Sequence, residues 1–199
     1  MKICYVVGAA PFARAFSPNE DDLVIAADGG WKSLLNMGIR PHLVVGDFDS
    51  AEAPDDIPVL RYPIEKDDTD TALAIKEGVR RGYECFALYG CAGGRADQTL
   101  ANIQTLHHLA IEGFDGYLVD ENTVSTVVAN KALHFKPKGK VSVFSLTNES
   151  LGVTIDGLYY PLRNARLTND CPLGVSNEGN GQAASVSVKQ GVLYVMWEG

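Results

Sequence analysis

The chain has 199 residues, an apolar fraction of 46% and a formal net charge of −8. That length and apolar content suit one large domain or two small ones with a buried core, and they argue against disorder. The negative charge argues against a broad grip on nucleic acid or on an anionic membrane, which draws on surplus Lys and Arg.

The run Met1 to Ala10 reads as a first buried strand and not as a signal sequence, because Pro11 and Arg14 soon interrupt it. No apolar stretch approaches the roughly 20 residues of a membrane-spanning helix. Cys4, Cys85, Cys91 and Cys171 are scattered without a C-x-x-C pair, which suits a reducing cytoplasm better than a disulfide or zinc framework.

In chain order, strands are expected at Ile3 to Val7, Leu23 to Ala27, Leu43 to Val45, Val59 to Tyr62, Cys85 to Tyr89 and Gly116 to Val119. Helices fit between them. Thr71 to Arg81 puts Ala72, Ile75 and Val79 on one face, and Gln98 to Glu112 does the same with Ile103, Leu106, Leu109 and Ala110. Such alternation predicts an α/β fold with a mainly parallel sheet in three layers. From about residue 123 the pattern changes to short alternating runs, Lys140 to Leu146 and Ala184 to Val188, which predict a smaller antiparallel β domain. Val192 to Trp197 reads as the second arm of a hairpin after Gln190-Gly191. The expected division is therefore 1–122 and 123–199.

In an open parallel sheet, ligands bind outside the carboxyl ends of the strands. Asp28 ends one strand ahead of Gly29-Gly30, Asp47 follows another after Gly46, and Gly90 follows a third ahead of Gly93-Gly94-Arg95. Asp47 and Asp49 are two residues apart, so in extended chain their carboxylates emerge on one side about 7 Å apart. Between Asp47 and Asp70 there are nine acidic residues against two basic ones. If several converge, a cation or proton must relieve their repulsion, and hard oxygen donors favour magnesium or calcium over zinc. Taken alone, Asp67 also fits as a helix N-cap, Asp97 as a cap for the helix from Gln98, and Asp55 and Asp56 as a solvated turn. Arg95 supplies a guanidinium suited to bidentate phosphate contacts. His107 and His108 read as packing or surface residues, Trp31 as packing near the Asp28 loop, and Trp197 as core.

The ordered set Ala27-Asp28-Gly29-Gly30, Gly46-Asp47-Phe48-Asp49-Ser50, Lys66-Asp67-Asp68-Thr69-Asp70 and Gly93-Gly94-Arg95-Ala96-Asp97-Gln98 strongly resembles thiamine pyrophosphokinases, and the likeness reaches Val175-Ser176-Asn177-Glu178. The resemblance implies an α/β catalytic domain that binds ATP and magnesium, a C-terminal β-sandwich for thiamine binding and dimerisation, and transfer of pyrophosphate from ATP to thiamine with release of AMP. It also implies a homodimer with active sites between subunits, which the cysteine pattern places in the cytoplasm. By motif, Asp28, Asp47, Asp49 and Asp70 would surround the metal, and Thr69, Arg95, Asp97 and Gln98 would place the nucleotide. Asp28, Asp70 and Asp97 stand nearest the chemistry in this reading, with Asp97 or Asp70 as base, and Ser176 and Asn177 would reach thiamine. The thiamine-stacking aromatic is not identifiable in Glu178 to Gln182. Rival expectations are a pyrophosphokinase for another alcohol, such as a hydroxymethyl pterin, a sugar-nucleotide transferase using the Asp-x-Asp pair, and a non-catalytic sensor of thiamine or nucleotide.

Overall fold

The structure, a computed structural model, describes residues 1–48, 53–63, 65 and 67–199. It divides into two compact units, Met1–Thr105 with Phe114–Glu121, and Leu106–Gly113 with Asn122–Gly199.

The first unit is built from β1 (Ile3–Val7), β2 (Leu23–Ala27), α1 (Gly30–Asn36), β3 (Leu43–Gly46), β4 (Val59–Arg61), α2 (Asp70–Arg80), β5 (Cys85–Tyr89), the first part of α3 (Ala96–Ile111), and β6 (Asp115–Val119). Its strands run in the order β6-β5-β1-β2-β3-β4, and every pairing is parallel. Parallel strands covered on both faces read as continuous apolar runs, and all five residues of β2 are buried. The chain steps outward from β1 to β4 and then returns to lay β5 on the other side of β1. That reversal creates a switch point between β1 and β5, where an open α/β sheet has its crevice.

Local chemistry starts α2 at one residue. Thr69 is extended (φ −72°, ψ 157°), and its hydroxyl accepts the Ala72 N–H at 3.1 Å. Thr69, not Asp67, is thus the N-cap, because a cap must lie immediately before the first helical residue to reach the free N–H groups. Asp70 and Arg80 then sit at the ends where the helix dipole favours their charges. Likewise α3 begins at Ala96, which puts Asp97 inside the first turn and not ahead of it.

The second unit contains β7 (Thr123–Ala129), β8 (Ala132–Phe135), β9 (Lys138–Ser145), β10 (Glu149–Asp156), β11 (Leu162–Thr168), β12 (Gly174–Asn180), β13 (Ala184–Ser187) and β14 (Val192–Glu198). Strands in the order β12-β9-β14-β7 face strands in the order β11-β10-β13-β8, all antiparallel. Val141, Val143, Leu193 and Val195 from one layer meet Val153, Ile155, Leu167 and Val186 from the other in a single apolar core, which makes the unit a β-sandwich. Trp197 packs against that core, its ring 5.1 Å from Phe135. The expected hairpin across Gln190-Gly191 does not form. β13 pairs with β10 and β8, whereas β14 pairs with β7 and β9, so this turn carries the chain from one sheet to the other. Alternating apolar residues reward burial of one strand face, and two facing sheets bury Val186 and Val195 together.

Candidate active site

At the switch point the loops after β1 and β5 are joined backbone to backbone. Gly8 N–H donates to the Tyr89 carbonyl at 2.8 Å and Ala10 N–H to the Gly90 carbonyl at 3.0 Å. Gly90 has φ +60°, and a Cβ there would lie 2.6 Å from the Gly8 carbonyl oxygen and 2.7 Å from that of Ala10. Only glycine fits so close an approach at that backbone angle. Beside this junction lies a cavity of about 640 Å³ lined by the ends of β1 and β2, the start of α2, the glycine loop and α3. The N-termini of α2 and α3 both border it, so free backbone N–H groups and the positive ends of two helix dipoles meet in one place.

Of the residues singled out from sequence, Asp28, Thr69, Asp70, Arg95 and Gln98 line this cavity. Asp28 adopts φ +49°, and its N–H donates to the Val45 carbonyl at 2.8 Å. Its Oδ1 is buried and has no hydrogen-bond partner among the described residues. A Cβ on Gly46 would lie 3.3 Å from Asp28 Cα, a tight contact that a glycine ahead of Asp47 avoids. Asp47 follows β3, the neighbour of β2, and is not part of the cavity lining. Phe48 beside it has φ +57°, and the Arg61 guanidinium stands over its ring at 4.9 Å. Asp49, Ser50 and Lys66 lie outside the described residues. Among the described residues, no three His, Cys, Asp or Glu side chains gather into a ready-made metal cage. Asp68 pairs instead with Lys76 at 2.7 Å, and Asp56, in an exposed turn with Asp55, pairs with Arg40 at 2.7 Å.

Arg95 and Asp97 hold each other in a two-point pair, Nε to Oδ1 at 3.1 Å and Nη2 to Oδ2 at 2.6 Å. The Arg95 hydrogen bonds hold the Asp97 carboxyl below the usual range. Asp97 itself is exposed and outside the cavity lining. Sequence reasoning passed over Asn102, which is buried on α3 and does line the cavity.

In the second unit, Ser176 is exposed at φ +60°, with its N–H donating to Ser142 Oγ at 3.2 Å. Asp28, Phe48 and Ser176 are three of the five described non-glycine residues at positive φ, so this uncommon backbone concentrates in the motifs already singled out. Asn177 is buried, and its amide clasps the backbone of Tyr160. Tyr159 and Tyr160 are 74% and 62% exposed and meet edge to face at 4.8 Å. Leu173 and Val175 are exposed in the same unit, and Tyr159 borders an open groove of about 690 Å³ with Lys138, Glu178 and Glu198. The two tyrosines escaped the sequence reading. Their signal was an adjacent aromatic pair lying outside any alternating run, between Gly157 and Pro161.

Residues 17–117 match the family model for the thiamin pyrophosphokinase catalytic domain, and residues 130–193 match that for the thiamin pyrophosphokinase vitamin B1 binding domain. The thiamine pyrophosphokinase of Bacillus subtilis (strain 168) is 30% identical over 188 residues, covering 89% of this chain and 88% of that protein. Among solved structures, the thiamine pyrophosphokinase from Bacillus subtilis superposes with a TM-score of 0.85 at 26% identity over 100% of this chain and 99% of that one. The enzyme from Geobacillus thermodenitrificans gives 0.87 at 28% identity, over 100% and 98%. The chain belongs to the thiamine pyrophosphokinase family and carries both of that family's domains.

Proposed function

We propose that the cavity at the β1/β5 switch point binds the polyphosphate of ATP, and that the protein transfers pyrophosphate from ATP to the hydroxyl of thiamine, giving thiamine diphosphate and AMP. The observation that carries this reading is the meeting of Asp28, Asp70, Arg95 and two helix N-termini around one cavity. Such a set neutralises and orients a polyanion, which is most of what phosphoryl-type transfer asks of a protein.

The donor set fits magnesium. Asp28 presents a buried carboxylate oxygen with no described partner, and Asp70 borders the same cavity. Two carboxylates without a complete cage suit an ion that keeps several waters and takes its remaining oxygens from substrate phosphates. Asp28 and Asp70 would hold the metal, with Asp47 at the adjoining strand end; Asp49, two residues on in sequence, completes the expected set. Bound there, magnesium supplies charge neutralisation across the phosphates and the leaving AMP. Thr69, Gln98 and the helix N-termini orient the phosphate chain, and Arg95 adds a two-point contact. Asp97, held deprotonated by Arg95, is a weak base whose task in this reading is to set the guanidinium; Asp70 receives the thiamine hydroxyl proton on the carboxylate oxygen that would not face the metal.

Thiamine is a cationic pair of flat rings, and an exposed tyrosine face suits it by stacking and cation–π attraction. We assign Tyr160 to that role, with Asn177 holding it and Ser176 beside it. We further read the protein as a cytoplasmic homodimer whose active sites form between subunits. No helix among the described residues is long and apolar enough to cross a membrane.

Incubation with ATP, magnesium and thiamine should yield AMP and thiamine diphosphate in equal amounts. ADP as product would contradict pyrophosphoryl transfer, and AMP formed only with a hydroxymethyl pterin would reassign the acceptor.

A further inference from the structure

We propose that Asn102 is a specificity residue for the nucleoside half of the nucleotide, its Oδ1 accepting a hydrogen bond from a neutral donor on the base or the ribose. The inference rests on reading the cavity as the ATP site. Arg95, Gln98, Thr99 and Asn102 fall at i, i+3, i+4 and i+7, so they share one helical face, and all four line the cavity. Arg95 marks the charged mouth. Asn102 lies seven residues further on, roughly 10 Å along the axis, in a stretch of α3 from Gln98 to Leu106 that carries no charged residue. A triphosphate belongs at the mouth and the uncharged nucleoside toward Asn102.

Asn102 is 2% exposed. Its Nδ2 donates to the Cys91 carbonyl at 2.8 Å. Because that carbonyl can only accept, the amide cannot be turned over, and Oδ1 is fixed as the remaining atom. Oδ1 is buried and has no hydrogen-bond partner among the described residues. Buried acceptors in native proteins are nearly always satisfied, and because Asn102 lines the cavity a donor on the bound ligand can satisfy this one. Phosphates and carboxylates have none to give at neutral pH. A nucleoside has two kinds, the exocyclic amine of adenine and the ribose hydroxyls.

Direct binding of ATP, purine riboside triphosphate, 2′-deoxy-ATP and 3′-deoxy-ATP, each with magnesium, tests this and separates the sources. Wild type should bind one analogue about tenfold more weakly than ATP, as expected for one lost hydrogen bond to a buried acceptor. Asn102→Leu should lose the same factor for ATP and no longer discriminate against that analogue. A merely structural asparagine weakens all four ligands together, and that pattern would overturn the assignment. So would equal binding of all four by wild type, which needs no variant to fold. If wild type turns ATP over while the analogues bind alike, the inference fails alone; if it neither binds nor turns over ATP, the reading of the cavity fails with it.

Discussion

Asn177 grips Tyr160 by both of its backbone groups. Oδ1 accepts the Tyr160 N–H at 2.9 Å, and Nδ2 donates to the Tyr160 carbonyl at 2.6 Å. Oδ1 also takes the Glu178 N–H at 2.8 Å, so both polar atoms of the buried amide are engaged within the protein. In the proposed thiamine site its contribution is to hold the exposed tyrosine in place, with Ser176 as the neighbouring side chain open to solvent. Tyr160→Ala should raise the thiamine KM by tenfold or more and leave the ATP KM within about twofold, since ring stacking contributes on the order of 1 kcal/mol beyond simple burial. Asn177→Asp keeps the acceptor but loses the donor, and should raise the thiamine KM less than Tyr160→Ala does. Steady-state kinetics with each substrate varied in turn decides this; an unchanged thiamine KM in Tyr160→Ala removes the tyrosine from the site.

Arg95 and Asp97 give a prediction about pH. Because the guanidinium holds the Asp97 carboxyl below its ordinary value, Asp97 is ionised throughout the range from pH 5 to 9. Any activity limb near neutrality must then come from another group, and Asp97→Asn should leave its apparent pKa in place. The same variant releases the Arg95 fork. Arg95→Lys retains charge but loses the two-point geometry, so its ATP KM should rise about tenfold with little change for thiamine. A neutral limb that vanishes in Asp97→Asn would return Asp97 to the role of base.

Glu77 ties down the far end of α2. Its carboxylate accepts from Arg80 Nε and Nη2 and from Arg81 Nε, each at 2.7 Å. The Arg80 hydrogen bonds do most to bring its pKa down from 4.5 to about 2, against burial and with help from Arg81. A lowered folded pKa means stability that is fully present above the unfolded value and is lost as pH falls toward 2. Glu77→Gln should destabilise by on the order of 2 kcal/mol at pH 7, allowing for solvent around the arginine heads. The gap between the two proteins should close between about pH 5 and pH 2 in denaturant melts. A gap independent of pH would mean that packing, not charge, is what Glu77 supplies.

Much of this architecture is legible in the chain because its cues are local. The spacing of Ala72, Ile75 and Val79 suffices to place α2, and aspartates or glycines directly after apolar runs mark where the strand ends open. What stays hidden depends on partners remote in sequence. Alternation at Ala184 to Val188 and Val192 to Trp197 reports a buried face but not which sheet each strand joins, hence the misplaced hairpin. Asn102 looks like one polar residue in a helical pattern until its contact with Cys91 leaves a buried acceptor without a described partner on a residue that lines the cavity. Tyr160 needs Asn177, seventeen residues on, before its exposure has a context.

The thiols complete the chemistry of the cavity by staying out of it. Cys91 lines the cavity, and a nucleophilic cysteine there would suggest a covalent intermediate. Burial pushes its thiol up to about 11, and its Sγ donates to the Tyr89 carbonyl at 3.3 Å. Since only the thiolate is reactive, Cys91 is inert near neutral pH. Cys4 is also buried, with its thiol pushed up to about 12, and Cys85 is buried while Cys171 is exposed. A thiol reagent at pH 7.5 should therefore label one cysteine per native chain quickly and all four after denaturation. Cys171→Ser should abolish the fast phase, and Cys91→Ser should retain AMP release within about threefold of wild type. Rapid labelling of Cys91 accompanied by inactivation, with protection by ATP, would instead make that thiol part of the reacting machinery and replace direct transfer with a two-step path.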